Sequence, residues 1–173
     1  MEGTLNMTQQ ATLSESTLDN PLAGKYLIFR LGSEEYGLEI LKVREIIQMQ
    51  TLTTVPRTPE HVRGVLNLHG RVIPAIDLHL RFGLDASESD RASVIVIVQV
   101  DDIEVGLIVD SVSEALDVPG SDIEETPALG RQVDTSFILG LAKRDGRVTM
   151  LLNVDKVLTA TDVATAETIN DQG

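Results

Sequence analysis

Short runs rich in Val, Ile, Leu and aromatic residues recur along the chain at 25–31, 35–41, 70–76, 93–100, 104–111 and 147–154. Each has the length of a strand. Gly32-Ser33, Asp101-Asp102 and Asp145-Gly146 supply turn chemistry between them, so neighbouring runs read as hairpins. The pattern predicts an all-β protein. Helix-start signals are few: Thr58-Pro59-Glu60 offers an N-cap, a proline at the first helical position and an early acid, predicting a turn or two to about Leu66. Asp134-Thr135-Ser136 does the same for 137–142. Both helices are too short to be stable alone and must pack on a sheet.

A weak internal repeat organises these elements. Shifted by 69, YGLEILKVREI (36–46) lies over VGLIVDSVSEA (105–115), matching Gly37 with Gly106, Leu38 with Leu107, Val43 with Val112 and Glu45 with Glu114. Shifted by 76, VRGVLNLHGRVIPAIDL (62–78) lies over ILGLAKRDGRVTMLLNV (138–154). This second pair matches Gly64 with Gly140, Gly70-Arg71-Val72 with Gly146-Arg147-Val148, and Asp77 with Asn153. Two copies of a small β unit are implied, and the ordered matches weigh against chance similarity. At about 60 residues neither copy is comfortable alone. Two barrels packed side by side are expected, with a natural binding groove at their seam. The expected organisation is a tail over 1–23, a two-barrel domain over 24–158, and a tail or short helix over 159–173.

Composition narrows the function. Fourteen Lys and Arg against 27 Asp and Glu give a net charge of −13, which opposes binding to nucleic acid or to an anionic membrane surface. Without cysteine, disulfide scaffolds, thiolate metal sites and cysteine nucleophiles are excluded. No stretch approaches the roughly 20 apolar residues of a membrane span, and the N-terminus has no secretory pattern, so a soluble cytoplasmic protein is expected. The charge is unevenly spread: residues 40–84 hold six bases and three acids, whereas 92–130 hold nine acids and no base. This is either a solvated acidic face or a module whose opposite ends meet different partners.

Candidate chemistry is sparse. His61, His69 and His79 lack the spacing of a zinc set, and no nucleophile elbow, phosphate loop or dinucleotide fingerprint occurs. Asp77 and His79 would share a strand face if the strand continued, allowing the carboxylate to orient the ring. They are the only candidates for a small-molecule-binding or hydrolytic barrel. No catalytic residue, metal or cofactor is expected. In ILKVREII (40–47) apolar residues fall on both faces, more than one barrel interior absorbs. Some of Ile40, Val43, Ile46 and Ile47 should face the seam or a partner, unless all four are core. Gly64 on a short helix would cost roughly 1 kcal/mol against Ala, which suggests a close approach to the backbone, by a partner or by tight packing within the fold.

The strings YLIFRLGSEEYGLEILKVREI, RTPEHVRGVLNLHGRVIPAIDLHLRFG and VGLIVDSVSEAL together resemble the CheW family of bacterial chemotaxis coupling proteins, over about residues 25–158. GVLNLHGRVIPAIDL is the most specific part. The resemblance implies two SH3-like five-stranded β-barrels packed side by side with short helices, no enzymatic activity, and a scaffold joining chemoreceptor cytoplasmic tips to the regulatory domain of a CheA-type histidine kinase. It further implies possible ring-forming contacts with CheW-like domains and association with receptor arrays, without direct membrane insertion. Carried residue by residue, it places the receptor groove near Ile40, Val43, Ile47, Gly64, Val65 and Asn67, with Val98 and Val109 from the other lobe. Kinase contacts fall at Glu45 and His69 and in the loop around Asp85 and Arg91. The family commonly has Arg where this chain has His69, pairing with the Glu equivalent to Glu45. An imidazole cannot make that bidentate pair, so the contact is weaker or pH-dependent. A paralogue serving a different receptor and kinase pathway is the second reading.

Overall fold

A computed structural model describes residues 22–82, 93–124, 137–158 and 169. Asp85, Arg91, the cap signal at 134–136 and nearly all of both expected tails lie outside the described residues. Eleven strands run through the described chain: β1 (Gly24–Leu31), β2 (Glu34–Glu39), β3 (Val43–Gln48), β4 (Val62–Leu68), β5 (Arg71–Asp77), β6 (Val94–Val100), β7 (Ile103–Val109), β8 (Ser111–Val118), β9 (Ile123–Glu124), β10 (Ile138–Arg144) and β11 (Arg147–Leu152). Two one-turn helices, α1 (Leu78–Arg81) and α2 (Val154–Val157), follow β5 and β11. The expected run 35–41 stops at Glu39, where a 3-10 turn, Ile40–Lys42, leads into β3.

Neither helix expected from a cap signal forms where it was placed. Residues 62–68 bury alternate positions, Val62, Gly64, Leu66 and Leu68, and pair with β5 as a strand. That period of two, satisfied by a neighbouring strand, overrides the local cap chemistry. Thr58-Pro59-Glu60 becomes a turn in which the Val62 N–H donates to the Pro59 carbonyl at 3.0 Å. Residues 138–144 likewise form β10 against β11. The helices that do form are capped by the matched pair Asp77 and Asn153, whose side chains accept from the N–H of His79 and Asp155.

The repeat is present in three dimensions. The shift of 69 carries β1, β2 and β3 onto β6, β7 and β8, and the shift of 76 carries β4, β5 and α1 onto β10, β11 and α2. One sheet has the order β8-β1-β2-β11-β10-β9 and the other β3-β6-β7-β5-β4. Under the repeat, the second order is the image of the first without β9. Even the two-residue β9 has a counterpart in the bridge of Thr53 to Val65. The turns His69-Gly70 and Asp145-Gly146 both have two positive φ values, the signature of a type I′ hairpin.

One feature departs from a barrel per copy. The β1–β2 hairpin of the first copy lies in the sheet of β8 to β11, and the β6–β7 hairpin of the second copy lies in the sheet of β3 to β5. The copies have exchanged hairpins, joined through the parallel pairs β2–β11 and β5–β7. Consequently the basic and acidic segments are interleaved: Arg71 of the first pairs with Glu104 of the second within one sheet. The acidic and basic stretches are not opposite ends of the molecule.

Strand alternation sorts the core into three clusters. Tyr26 and Ile28 of β1 join Val118, Ile123, Ala142 and Leu151 inside one barrel, while Ile95 and Ile97 of β6 join Leu66, Leu68, Ile73 and Ile108 inside the other. The intervening residues, Leu27, Phe29 and Leu31 on β1 and Val96, Val98 and Val100 on β6, form with β7, α1 and α2 the largest cluster, which fills the seam. Phe29, Tyr36, Phe82 and Phe137 stack in series across it, with centroids 5.7, 5.6 and 4.6 Å apart. The seam is a packed core, and any groove lies along its rim.

Candidate interaction surface

The rim is most exposed where the chain crosses between barrels. The 3-10 turn from β2 to β3 contains no buried residue, and Leu41 at its centre is 87% exposed. Along β3 the register sets Val43 opposite Val98, Ile46 opposite Val96 and Ile47 opposite Ile95. Ile40 and Val43 are half-buried against the seam cluster, Ile47 against the barrel interior, and Ile46 is 43% exposed. Leu41 and Ile46 thus extend the aliphatic surface begun by Ile40 and Val43, while Ile47 faces the other side of β3. An exposed aliphatic run of this kind is a candidate contact surface.

The remaining groove residues divide. Val65 is half-buried and Asn67 exposed on β4. The Asn67 Oδ1 accepts the Gly70 N–H at 3.1 Å, fixing the adjacent turn. Gly64 has φ +153°, and a Cβ there would lie 2.5 Å from the Thr53 carbonyl oxygen. The close approach at Gly64 is therefore internal: Thr53 and Val65 exchange backbone hydrogen bonds of 2.9 and 2.8 Å, and the residue is a strand glycine rather than a helical one. Val98 and Val109 are 0% exposed in the seam. Their side chains support the rim from beneath and present nothing to a partner in this conformation.

Of the expected kinase contacts, Glu45 and His69 are brought together. His69 occupies the left-handed position of the β4–β5 turn, φ +53°, and its Nε2 lies 3.4 Å from the Glu45 Oε1. Glu45 lies on β3 and His69 follows the end of β4, the two edge strands of their sheet, so their meeting also shows that the sheet is curled. A single exposed contact at this distance is weak.

Asp77 and His79 do not form the arrangement expected of a strand face. The strand ends at Asp77, whose buried carboxylate caps α1 and sits 2.9 Å from the Arg63 guanidinium. The His79 ring turns to Asp110 instead, with Nε2 2.8 Å from Oδ1. Both groups are committed to internal contacts. Among the described residues no three His, Asp or Glu side chains are placed to hold a metal ion, and no helix is long and apolar enough to cross a membrane.

A pocket of about 360 Å³ adjoins Leu41, walled by Leu22, Lys25, Tyr26, Glu39 and Ile40. The Tyr26 hydroxyl donates to the Leu22 carbonyl at 2.6 Å. Burial first, then the nearby Glu39 carboxylate, pushes the Tyr26 phenol up to about 12. Burial, with Glu34, also raises Tyr36. Leu41 falls at the end of the expected strand 35–41, and its position there does not single it out. The apolar excess in 40–47 was the available signal, and the 3-10 turn is what rotates Leu41 outward.

A family model described as a CheW-like domain matches residues 25–162. The chain is 39% identical over 135 residues to a chemotaxis protein CheW of Rhizobium meliloti, covering 78% of this chain and 87% of that protein. It is 32% identical over 145 residues to a chemotaxis protein CheW of Klebsiella aerogenes, covering 84% and 87%. Among solved structures, the scaffolding protein TtCheW from Thermoanaerobacter tengcongensis superposes with a TM-score of 0.72 at 34% identity, covering 82% of this chain and 92% of that one.

Proposed function

Because the chain belongs to the CheW-like family of chemotaxis coupling adaptors, we propose that it joins the cytoplasmic tips of chemoreceptors to the regulatory domain of a CheA-type histidine kinase, without catalysis of its own. The receptor helix lies along the rim formed by Ile40, Leu41, Val43 and Ile46, with Ile47, Val65 and Asn67 at its side. The kinase meets the barrel end carrying Glu45 and His69, with the segment holding Asp85 and Arg91 as a further contact. CheW-like domains extend these contacts into rings. The protein works in the cytoplasm, at receptor arrays on the inner membrane, and its acidity keeps it off nucleic acid and lipid headgroups.

The observation that carries this reading is the aliphatic run at the β2–β3 crossover, where Leu41 is 87% exposed in a chain whose other large apolar side chains are mostly buried. An amphipathic helix laid on such a rim buries its apolar stripe and removes the run from water. Co-sedimentation tests it. With receptor signalling fragments assembled on vesicles, the chain should enter the pellet and bring the kinase with it. Retention of the chain in the supernatant, with kinase recovery unchanged, would sink the proposal.

A further inference from the structure

The two crossovers between barrels, related by the internal repeat, are secured differently. At the β7–β8 crossover, Asp110 joins both barrels through one carboxylate. Its Oδ2 accepts the Gly32 N–H at 2.6 Å from the β1–β2 turn of one barrel, and its Oδ1 lies 2.8 Å from the His79 Nε2 on α1, which follows β5 of the other. A carboxylate accepts, so the imidazole donates through Nε2. The Asp110 N–H adds a third bond, donated to the Arg30 carbonyl at 3.0 Å.

The repeat places Leu41 where Asp110 stands, Asp155 where His79 stands and Asp101 where Gly32 stands. With Leu41 at the centre neither carboxylate bond can be reproduced. What the β2–β3 crossover has instead is an exposed ion pair, Lys42 to Asp155 at 3.7 Å, of a kind worth little in water. The seam between the crossovers is mostly apolar, with non-directional attraction, crossed by the bond that the Arg81 Nε donates from α1 to the Val157 carbonyl of α2 at 2.7 Å. A three-element hydrogen-bonded junction supplies direction that packing alone does not.

We infer that Asp110 is the positioning residue that sets the angle between the two barrels, with His79 and Gly32 as its partners, and that the barrels flex at the more weakly tied crossover of Ile40–Lys42. The rim that carries Leu41, Val43 and Ile46 is therefore shaped from the far side of the seam. Asp110 lies at the crossover opposite that rim. It acts by keeping the rim in one width, and a receptor helix that fits that width binds without first selecting it from a broader ensemble. This last step rests on the receptor-binding reading above, whereas the angle itself does not.

The chain contains no cysteine, so spin labels can be placed uniquely, through Glu60→Cys on the barrel of β3 to β7 and Val148→Cys on the other. In the labelled full chain, electron–electron distance measurement should give a narrow distribution, broadened by Asp110→Ala and less so by His79→Phe, which leaves the Gly32 bond. If the competent fraction falls to about a tenth, affinity for a receptor signalling fragment falls about tenfold. Distributions that overlay the parent's in both variants would overturn the inference. Should Asp110→Ala fail to fold, His79→Phe decides: broadening supports the inference, and an unchanged distribution overturns it. If the parent does not bind the receptor fragment at all, the coupling reading fails, and the distance distributions still decide the role of Asp110.

Discussion

Substitutions at Ile46 on β3 and at Val98, which lies opposite Val43 on β6, separate the contact surface from the core beneath it. Ile46 is 43% exposed, so it retains roughly half of the 1.5–3 kcal/mol that full burial of such a side chain contributes. Ile46→Glu therefore costs about 1 kcal/mol of stability, a fall in Tm of roughly 2–4 °C at this chain length. Val98 is fully buried. Val98→Ala removes two methyl groups worth roughly 0.8 kcal/mol each, and the residual cavity brings the loss to about 2–3 kcal/mol, or roughly 5–10 °C. Binding reverses the order. A carboxylate set in the apolar centre of a helix contact is desolvated without a partner, and a loss of about 2 kcal/mol or more weakens binding roughly thirtyfold. Thermal melts by circular dichroism give the stabilities, and titration of a receptor signalling fragment at 20 °C gives the affinities. The account requires Ile46→Glu to lose binding with little loss of Tm, and Val98→Ala to do the opposite. If Val98→Ala lost binding at a temperature where it is folded while Ile46→Glu bound like the parent, the surface would have been assigned to the wrong face.

Gly64→Ala should lower stability by about 2–4 kcal/mol, because its φ of +153° and the Thr53 carbonyl both oppose a side chain. Gly24→Ala, with nothing within 4 Å, should stay within about 0.5 kcal/mol, and equal melts for the two would remove the argument. Asp77→Ala removes the carboxylate that accepts from Arg63 and caps α1, a loss of about 2–4 kcal/mol. Asp77→Asn keeps an acceptor for the cap and should cost less by chemical denaturation. The two tyrosines should ionise late in an alkaline absorbance titration, Tyr26 at about 12 and Tyr36 also above the ordinary phenol value of 10. A folded-state pKa raised above the unfolded one means that the folded chain holds its protons longer. The stabilisation is then complete below pH 10 and lost as pH rises towards 12. A Tm independent of pH across that window would contradict the burial of these phenols.

Much of the architecture was legible because strands announce themselves by composition and period. Gly70 and Gly146, Asp77 and Asn153 matched in sequence because each pair does the same work at a turn or a helix cap. The hairpin exchange was not legible. A repeat tells which segments correspond, whereas the choice of barrel for β1–β2 depends on the parallel pairing of Gly37 with Leu151, a long-range contact without a local signature. Thr58-Pro59-Glu60 misled for a related reason: cap chemistry is local, and the pairing of Val62–Leu68 with β5 outweighs it. Of the expected groove residues, Ile40 and Val43 lie on the rim beside Leu41 and Ile46, and Ile47 is on the other face of β3. Val98 and Val109 have the same apolar character as surface contacts, and only their position under β3 and at the seam end of β7 marks them as core.

Phosphorylation of the kinase is the most direct measure of coupling. Purified CheA-type kinase and receptor signalling fragments on vesicles should show a low rate of autophosphorylation together, and a rate raised severalfold once this chain is added. Ile46→Glu should leave the rate near its starting value. A rate that does not respond to the chain, at concentrations where the chain is folded and the receptor fragments are in excess, would contradict the assignment as a coupling adaptor.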